Sequence, residues 1–119
     1  MQKLTKGEEE IMYHIWALGR CMVSDVIKRL GEPKPPHSTI SSIFRILEKK
    51  GFLGHKAYGR TYEYFPIVEK KDYSKKTLRN IVKNYFDGSV NQMVSFLVEE
   101  DDLSIEELGE IIEKLGQKN

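Results

Sequence analysis

Residues 37–51 read HSTISSIFRILEKKG, and residues 55–67 read HKAYGRTYEYFPI. In the second stretch YGR separates HKA from TYEYF, where polar and aromatic residues alternate, which predicts two β-strands joined by a glycine-containing turn. The first has apolar residues at helical spacing, so they share one face: Ile40, Ile43, Phe44 and Leu47. A helix followed directly by a β-hairpin is the pattern on which the fold prediction rests.

Two further helices are predicted before residue 37. Thr5 and Glu8 have the spacing of a capping box that begins the first helix, and Gly19 can end it. Ser24 is the expected N-cap of the second helix. The sequence EPKPP, residues 32–36, cannot be helical, because proline fixes φ and restricts the residue before it. We therefore expect a rigid connection from the second helix to the third.

Three helices followed by a hairpin are the element order of a winged helix-turn-helix, whose third helix lies in the DNA major groove. Helical periodicity returns after residue 72 in three apolar stripes, the last of which begins with a capping box from Ser104 to Glu107. The predicted fold is mainly α with a small β-hairpin. It comprises a winged-helix DNA-binding domain at residues 1–70 and a helical dimerisation region at residues 71–119.

The outward face of the third helix begins with small hydroxyl groups and ends with basic ones. Hydroxyls let the backbone approach phosphates closely, and they can donate to phosphate oxygens or contact base edges. Basic groups on the hairpin can reach phosphates or the minor groove. One of Ser38 and Thr39 is also expected to cap the helix. The predicted DNA-binding residues are Ser38, Thr39, Ser41, Ser42, Arg45 and Lys49 on the helix, with Lys56, Tyr58 and Arg60 on the hairpin.

The C-terminal helices are expected to form a homodimer. Three amphipathic helices are too few to bury a core alone, so their apolar faces should pack across a two-fold axis. A monomer in which they fold back on the winged helix is the alternative. Two recognition helices in a dimer would reach half-sites ~34 Å apart or a multiple of that. The predicted dimerisation residues are Leu78, Ile81, Val82, Phe86, Val90, Val94, Leu97, Val98, Leu108 and Ile112.

The charge distribution is uneven although the formal net charge is only +1. Residues 28–60 contain eight basic and two acidic side chains, whereas residues 99–113 contain eight acidic side chains and no Lys or Arg. This contrast predicts a polyanion-binding part joined to a part with a different role. No apolar run approaches the ~18 residues of a membrane span, and no secretory signal is evident. A lone cysteine fits a reducing compartment, so we expect a cytoplasmic protein without membrane insertion.

Neither a metal, a cofactor nor an enzymatic activity is predicted. His14, His37 and His55 lack metal-ligand spacing. Cys21 is expected to be a small buried hydrophobe rather than a redox sensor, because a reactive thiol needs a basic and exposed setting. The sequence contains no evident catalytic triad, paired carboxylates or phosphate-binding glycine loop.

Three separated segments resemble the penicillinase-repressor family of winged-helix regulators, which has copper-responsive relatives. They are LTKGEEEIMYHIWALG, TISSIFRILEKKGFLGHKAYGRTYEYFPIV and SFLVEEDDLSIEELGEIIEKL. The resemblance is collinear from Leu4 to Leu115. It implies repression of β-lactam resistance genes from a palindromic operator, and a C-terminal half that dimerises by interlocking. The chain ends in EKLGQKN without the C-terminal Cys pairs of the copper-responsive branch, so copper sensing is not expected.

The same resemblance implies release from DNA by proteolysis, triggered by a membrane-bound sensor protease. The corresponding bond is Ser95–Phe96, and this chain has Ser95 where family members commonly have Asn. Two alternatives stay open at this stage. One is a winged helix that contacts an acidic protein, and the other is a repressor that binds a small effector in a pocket between the wing and the dimer helices.

Overall fold

The computed structural model describes residues 1–100, 104, 106, 107, 109, 110 and 113. The named elements are α1 (Lys6–Leu18), α2 (Val23–Leu30), α3 (His37–Lys49), β1 (Leu53–Tyr58), β2 (Thr61–Pro66), α4 (Lys70–Tyr85) and α5 (Val90–Glu99). The predicted mainly helical fold with one hairpin is confirmed. Within the described residues, no helix has the length and apolar character needed to cross a membrane.

Helix α1 begins with the predicted capping box. The Thr5 hydroxyl accepts from the Glu8 N–H at 3.2 Å, while the Glu8 carboxylate accepts from the Thr5 N–H at 3.0 Å. Each bond satisfies a donor that a helix start leaves without a partner. The helix ends at Gly19, whose φ of +80° suits glycine and whose N–H donates to the Ile15 carbonyl at 2.8 Å. A second predicted box is also present, because Ser104 and Glu107 exchange equivalent bonds.

The prediction that Ser24 caps α2 is wrong. Helix α2 begins at Val23 with Met22 as its N-cap, so Ser24 lies in the first turn. The Asp25 carboxylate accepts from the Met22 N–H at 2.8 Å and thereby satisfies the backbone from inside the helix. A carboxylate at this position also interacts favourably with the helix dipole, so the helix can begin without a hydroxyl N-cap.

The prediction that Ser38 or Thr39 caps α3 is also wrong. The helix begins at His37 directly after Pro36, and the Pro36 carbonyl accepts from the Thr39 N–H at 3.1 Å. Pro36 has an extended backbone, with φ −59° and ψ 140°, and no side chain provides a cap bond. Proline fixes φ where the chain turns into the helix. Both hydroxyls therefore lie within the first turn and are not used as the helix cap.

The predicted apolar face of α3 is confirmed. Phe44 and Leu47 are fully buried, Ile40 is nearly so, and Ile43 packs at the edge of the core. This face meets side chains from the other two helices and from the hairpin: Ile11, Met12, Ile15, Val26, Phe52, Leu53 and Tyr64. Burial of this one face leaves the remaining sides of α3 directed toward solvent.

The hairpin is antiparallel, with Leu53 opposite Pro66 at its base and Tyr58 opposite Thr61 at its tip. Gly59, at φ +64°, begins the two-residue turn. The main chain of Cys21 exchanges two bonds with that of Tyr64, at 2.9 and 2.7 Å. The hairpin is thus attached to the connection between α1 and α2, which fixes the wing beside the helices.

The chain divides into two compact units, Met1–Tyr73 and Ser74–Asn119. The first turn of α4 belongs to the winged-helix unit through Tyr73, whose O–H donates to the Glu9 carboxylate at 2.6 Å and whose ring meets those of Trp16 and Phe52. In the second unit, the Ser89 hydroxyl caps α5 by accepting from the Gln92 N–H at 3.1 Å. The assignment of dimerisation to residues 71–119 stays a prediction.

Candidate nucleic-acid interface

The outward face of α3 contains all six helix residues predicted to bind DNA. Ser38 and Thr39 are exposed in the first turn, and Ser41 and Ser42 are half-buried in the next. Arg45 and Lys49 are exposed further along, one turn apart. The Arg45 guanidinium donates to the Ser42 hydroxyl at 3.2 Å, which directs it along the helix toward the hydroxyl groups. The face thus combines small donors with a positively charged end.

The wing contains the other three predicted residues, all of them exposed. Lys56 and Tyr58 lie on β1, where the Lys56 ammonium is 5.4 Å from the centre of the Tyr58 ring. Arg60 lies in the turn directly after Gly59, at the wing tip. A cation at the tip of an exposed hairpin can reach a phosphate or the minor groove while the hydrophobic core stays buried.

A groove of about 660 Å³ lies between the start of α2, the first turns of α3 and the tip of the wing. Its lining includes the predicted residues Ser41 and Arg60. Ser24, His37 and Tyr62 also line it, and no local sequence pattern indicated that they would lie together.

None of the basic residues predicted to bind DNA is neutralised by a carboxylate among the residues that the structure describes. The ion pairs there join Arg20 to Glu63 and Lys50 to Glu8, while the Glu48 carboxylate lies at hydrogen-bonding distance from the His55 ring. The cations of α3 and the wing remain available for phosphates, which are the dominant source of affinity in DNA binding: Arg45, Lys49, Lys56 and Arg60.

The acidic residue of α3 is itself paired. Glu48 lies 2.6 Å from the Nδ1 atom of His55 on β1, and the His55 ring stacks on Tyr62 with centroids 4.2 Å apart. These contacts connect the end of α3 to both strands of the wing. Burial raises the pKa of the neighbouring Tyr64 phenol, and Glu48 and Tyr62 contribute smaller effects in the same direction. No pattern in the sequence predicted this link.

Cys21 is buried, as expected from the sequence. Burial raises the pKa of its thiol to about 11, and the carboxylates of Asp25 and Glu63 contribute. The thiol is therefore protonated at neutral pH and unsuited to redox sensing. In the part of the chain that the structure describes, no three His, Cys, Asp or Glu side chains are grouped so that they could hold a metal ion.

The fold and this exposed basic face define a winged-helix DNA-binding protein. A solved structure supports that class: the DNA-binding domain of the repressor BlaI matches with a TM-score of 0.52 and 32% sequence identity, covering 61% of this chain and 94% of that domain. The chain belongs to the penicillinase repressor family, whose sequence model matches residues 4–117. The fold and family are those of DNA-binding repressors rather than enzymes.

Relatives with assigned roles match over nearly their whole length. The methicillin resistance regulatory protein MecI of Staphylococcus aureus (strain N315) is 29% identical over 117 residues, covering 98% of this chain and 95% of MecI. The penicillinase repressor of Bacillus licheniformis is 31% identical over 116 residues, covering 97% of this chain and 91% of that protein. The resemblance to this family that the three sequence segments indicated is confirmed.

Proposed function

We propose that the protein is a cytoplasmic transcriptional repressor that binds a palindromic operator as a homodimer. The observation that carries the proposal is the exposed face of α3 and the wing, where hydroxyl groups adjoin four cations without carboxylate partners among the described residues. In this proposal α3 enters the major groove, with Thr39 and Ser42 near base edges or phosphates. Arg45, Lys49 and Arg60 bind the flanking phosphates.

The exposed apolar residues of the second unit support the homodimer. Leu78 and Ile81 on α4 are 42% and 39% exposed, and Val90 on α5 is 41% exposed. Val82 is buried, while Phe86, Val94, Leu97 and Val98 are half-buried. Apolar groups that remain accessible in one chain gain from packing against a second copy. Leu108 and Ile112, also predicted to dimerise, lie outside the described residues.

The names of the relatives support a role in β-lactam resistance. One regulates methicillin resistance and the other represses a penicillinase. We propose that this chain controls genes of the same kind and leaves the operator when a membrane sensor-protease, responding to β-lactams or cell-wall damage, triggers cleavage at Ser95–Phe96. Cleavage there would weaken the dimer, and two linked binding units hold DNA far better than one.

The proposed scissile bond lies inside α5. Ser95 is exposed and Phe96 is 50% exposed, but the bond between them belongs to a hydrogen-bonded helix that continues to Glu99. The Phe96 ring also packs against the Phe86 ring, with centroids 5.7 Å apart. A protease reaches a helical peptide bond after local opening. We therefore expect cleavage to require unwinding of the end of α5 and separation of the two rings.

The test is binding to the DNA upstream of the protein's own coding region, followed by fluorescence anisotropy. Replacing Thr39 and Ser42 together by Ala removes two hydroxyl contacts, each contributing about 0.5–1.5 kcal/mol, and should weaken binding by roughly 5- to 160-fold. The matched control replaces Ser74 and Thr77, two exposed hydroxyl residues of α4, by Ala. Equal affinity for the wild type and the Thr39/Ser42 variant would contradict the proposal.

Salt dependence separates this function from one alternative, and the length of the chain after release separates it from the other. Operator binding should weaken log-linearly with salt, at a slope of ~0.9 for each phosphate contacted. A winged helix that binds an acidic protein would show no such dependence with duplex DNA. A ligand-sensing repressor would release DNA on effector addition with the chain intact, whereas the proposed mechanism produces a shortened chain.

A further inference from the structure

Helix α4 has a second basic surface, separate from the winged helix. Its 16 residues include six basic side chains and a single acidic one, Asp72. At ~100° per residue, four of the basic positions fall within an arc of roughly 100° and extend over about 12 Å of helix. These positions, named here the basic stripe, are Lys75, Lys76, Arg79 and Lys83, and all four are exposed.

The basic stripe forms no ion pair within the part of the chain that the structure describes. Helix electrostatics accounts for some of its members, because Asp72 precedes Lys75 and Lys76 by three and four positions and Lys83 lies in the last turn. It does not account for Arg79, whose neighbours four positions away, Lys75 and Lys83, have the same charge and destabilise the helix.

The stripe lies on the side of α4 opposite to its exposed apolar residues. An arc of roughly 60° around the helix axis contains Leu78, Ile81 and Tyr85. The centre of this arc lies well over a quarter of a turn from the centre of the basic stripe. A homodimer contact through Leu78 and Ile81 would consequently cover the apolar side and leave the basic side in solvent. The stripe would be accessible to a further partner in the dimer.

We propose that the basic stripe binds backbone phosphates of the DNA duplex held by the winged helix. This inference rests on the proposed function. Lys75 follows Tyr73 by two residues, and Tyr73 is fixed to the winged helix through Glu9 and two aromatic rings. The short connection along the chain tethers the stripe to any duplex bound by α3, and tethering raises the effective concentration of phosphate for the stripe. Duplex DNA, with one charge per ≈ 1.7 Å of axis, matches an extended row of cations.

Contacts of this kind would be independent of sequence. They would strengthen operator and non-operator binding by the same factor, because phosphates have no base identity. The stripe would thus increase total affinity and the rate at which the repressor finds DNA, while the choice of site would remain with α3.

The test uses the full chain with Lys76, Arg79 and Lys83 replaced by Gln. A control with the same charge change replaces Lys3, Lys6 and Lys71, which are exposed and lie off the stripe. Anisotropy titrations over a range of NaCl concentrations, on an operator duplex and a scrambled duplex of equal length, give affinity and salt slope. Sedimentation equilibrium on the same samples gives the dimer dissociation constant.

The proposal predicts that the stripe variant binds both duplexes more weakly by a similar factor, roughly tenfold or more at moderate salt. Its salt slope should fall by about 0.9 for each phosphate that the variant no longer binds, with the dimer constant unchanged. A control variant that is weakened as much, or a stripe variant that binds like the wild type, would overturn it. A weakened dimer with unchanged DNA binding would overturn it too and assign the stripe to a protein contact. Failure of the wild type to bind any duplex would refute the proposed function itself.

Discussion

The Lys50 ammonium lies 2.5 Å from the carboxylate of Glu8, a residue 42 positions earlier. Glu8 belongs to the capping box that begins α1, and Lys50 directly follows the end of α3. Lys50 also donates to the Lys3 carbonyl at 3.0 Å. Two ionised side chains, both largely buried, thus hold the end of the proposed recognition helix against the start of α1.

Replacing Glu8 by Gln should lower the free energy of unfolding at pH 7 by about 1–3 kcal/mol, because it removes a charge-assisted bond and weakens the capping box. Thermal unfolding monitored by circular dichroism measures the loss. The control is Glu63→Gln, which removes the exposed partner of Arg20 and should cost about 0–1 kcal/mol. An equal effect of both variants would contradict this account.

The Glu8 contribution should depend on pH. Burial alone would raise the pKa of Glu8, but its bonds with Lys50 and Thr5 outweigh burial and lower the pKa below the ordinary value of 4.5. Because the folded-state pKa is depressed, the stabilisation is present above pH 4.5 and is lost as pH falls through the folded-state value. The gap in melting temperature between wild type and Glu8→Gln should therefore shrink from pH 7 to pH 3. A gap that stays constant would argue against ionised Glu8 as its source.

Phe44→Ala should destabilise the winged helix by about 3–5 kcal/mol, since the ring is fully buried and meets Tyr64 edge-on with centroids 4.9 Å apart. Urea unfolding provides the measurement. Two positions along the same helix, Ile46 is 41% exposed, and Ile46→Ala should change stability far less. Comparable losses for the two variants would show that α3 does not bury the face described.

Cys21 should react with a thiol reagent only slowly in the folded protein. The thiol is buried and its pKa is raised to about 11, so little thiolate exists at pH 8. Modification by a chromogenic disulfide should become fast in denaturant. In the native protein the thiolate fraction should increase between pH 9 and pH 11. Rapid native reaction at pH 8 would contradict both the burial and the pKa.

Trp16, the single tryptophan, should report on the connection into α4. Its indole N–H donates to the Val68 carbonyl at 2.8 Å, and its ring meets that of Tyr73. Trp16→Phe removes that bond and should cost about 0.5–1.5 kcal/mol, plus a packing loss, in urea unfolding followed by circular dichroism. A second measurement uses the isolated winged-helix unit, residues 1–73, with Trp16 in place. Its urea unfolding should have the same midpoint whether it is followed by Trp16 fluorescence or by circular dichroism. Different midpoints would show that this connection opens before the unit unfolds.

Local sequence rules predicted most of the winged helix. The apolar spacing of Ile40, Phe44 and Leu47 and the Thr5–Glu8 spacing depend on neighbours within a turn, and both predictions are confirmed. The two N-cap predictions were wrong because a different nearby group forms the hydrogen bond to the backbone N–H at the start of each helix. Asp25 does so for α2, and the Pro36 carbonyl does so for α3.

Contacts between distant residues could not be derived in this way. The Lys50–Glu8 pair and the Cys21–Tyr64 bridge join elements whose approach depends on the complete core. His55–Glu48 is closer in sequence, but it requires the wing to fold back along α3. The basic stripe, in contrast, follows from helical spacing alone, because its four positions lie within little more than two turns of one helix.

Cys21 attaches the wing through its main chain alone, and its side chain only fills space. Alanine or valine at this position should therefore keep the attachment, which would yield a chain free of cysteine with its architecture intact. Ala57→Cys, at an exposed position of the wing that is not among the predicted DNA-binding residues, would then accept a fluorophore or spin label. Distances between the two labels of a dimer would measure half-site separation directly, with and without DNA.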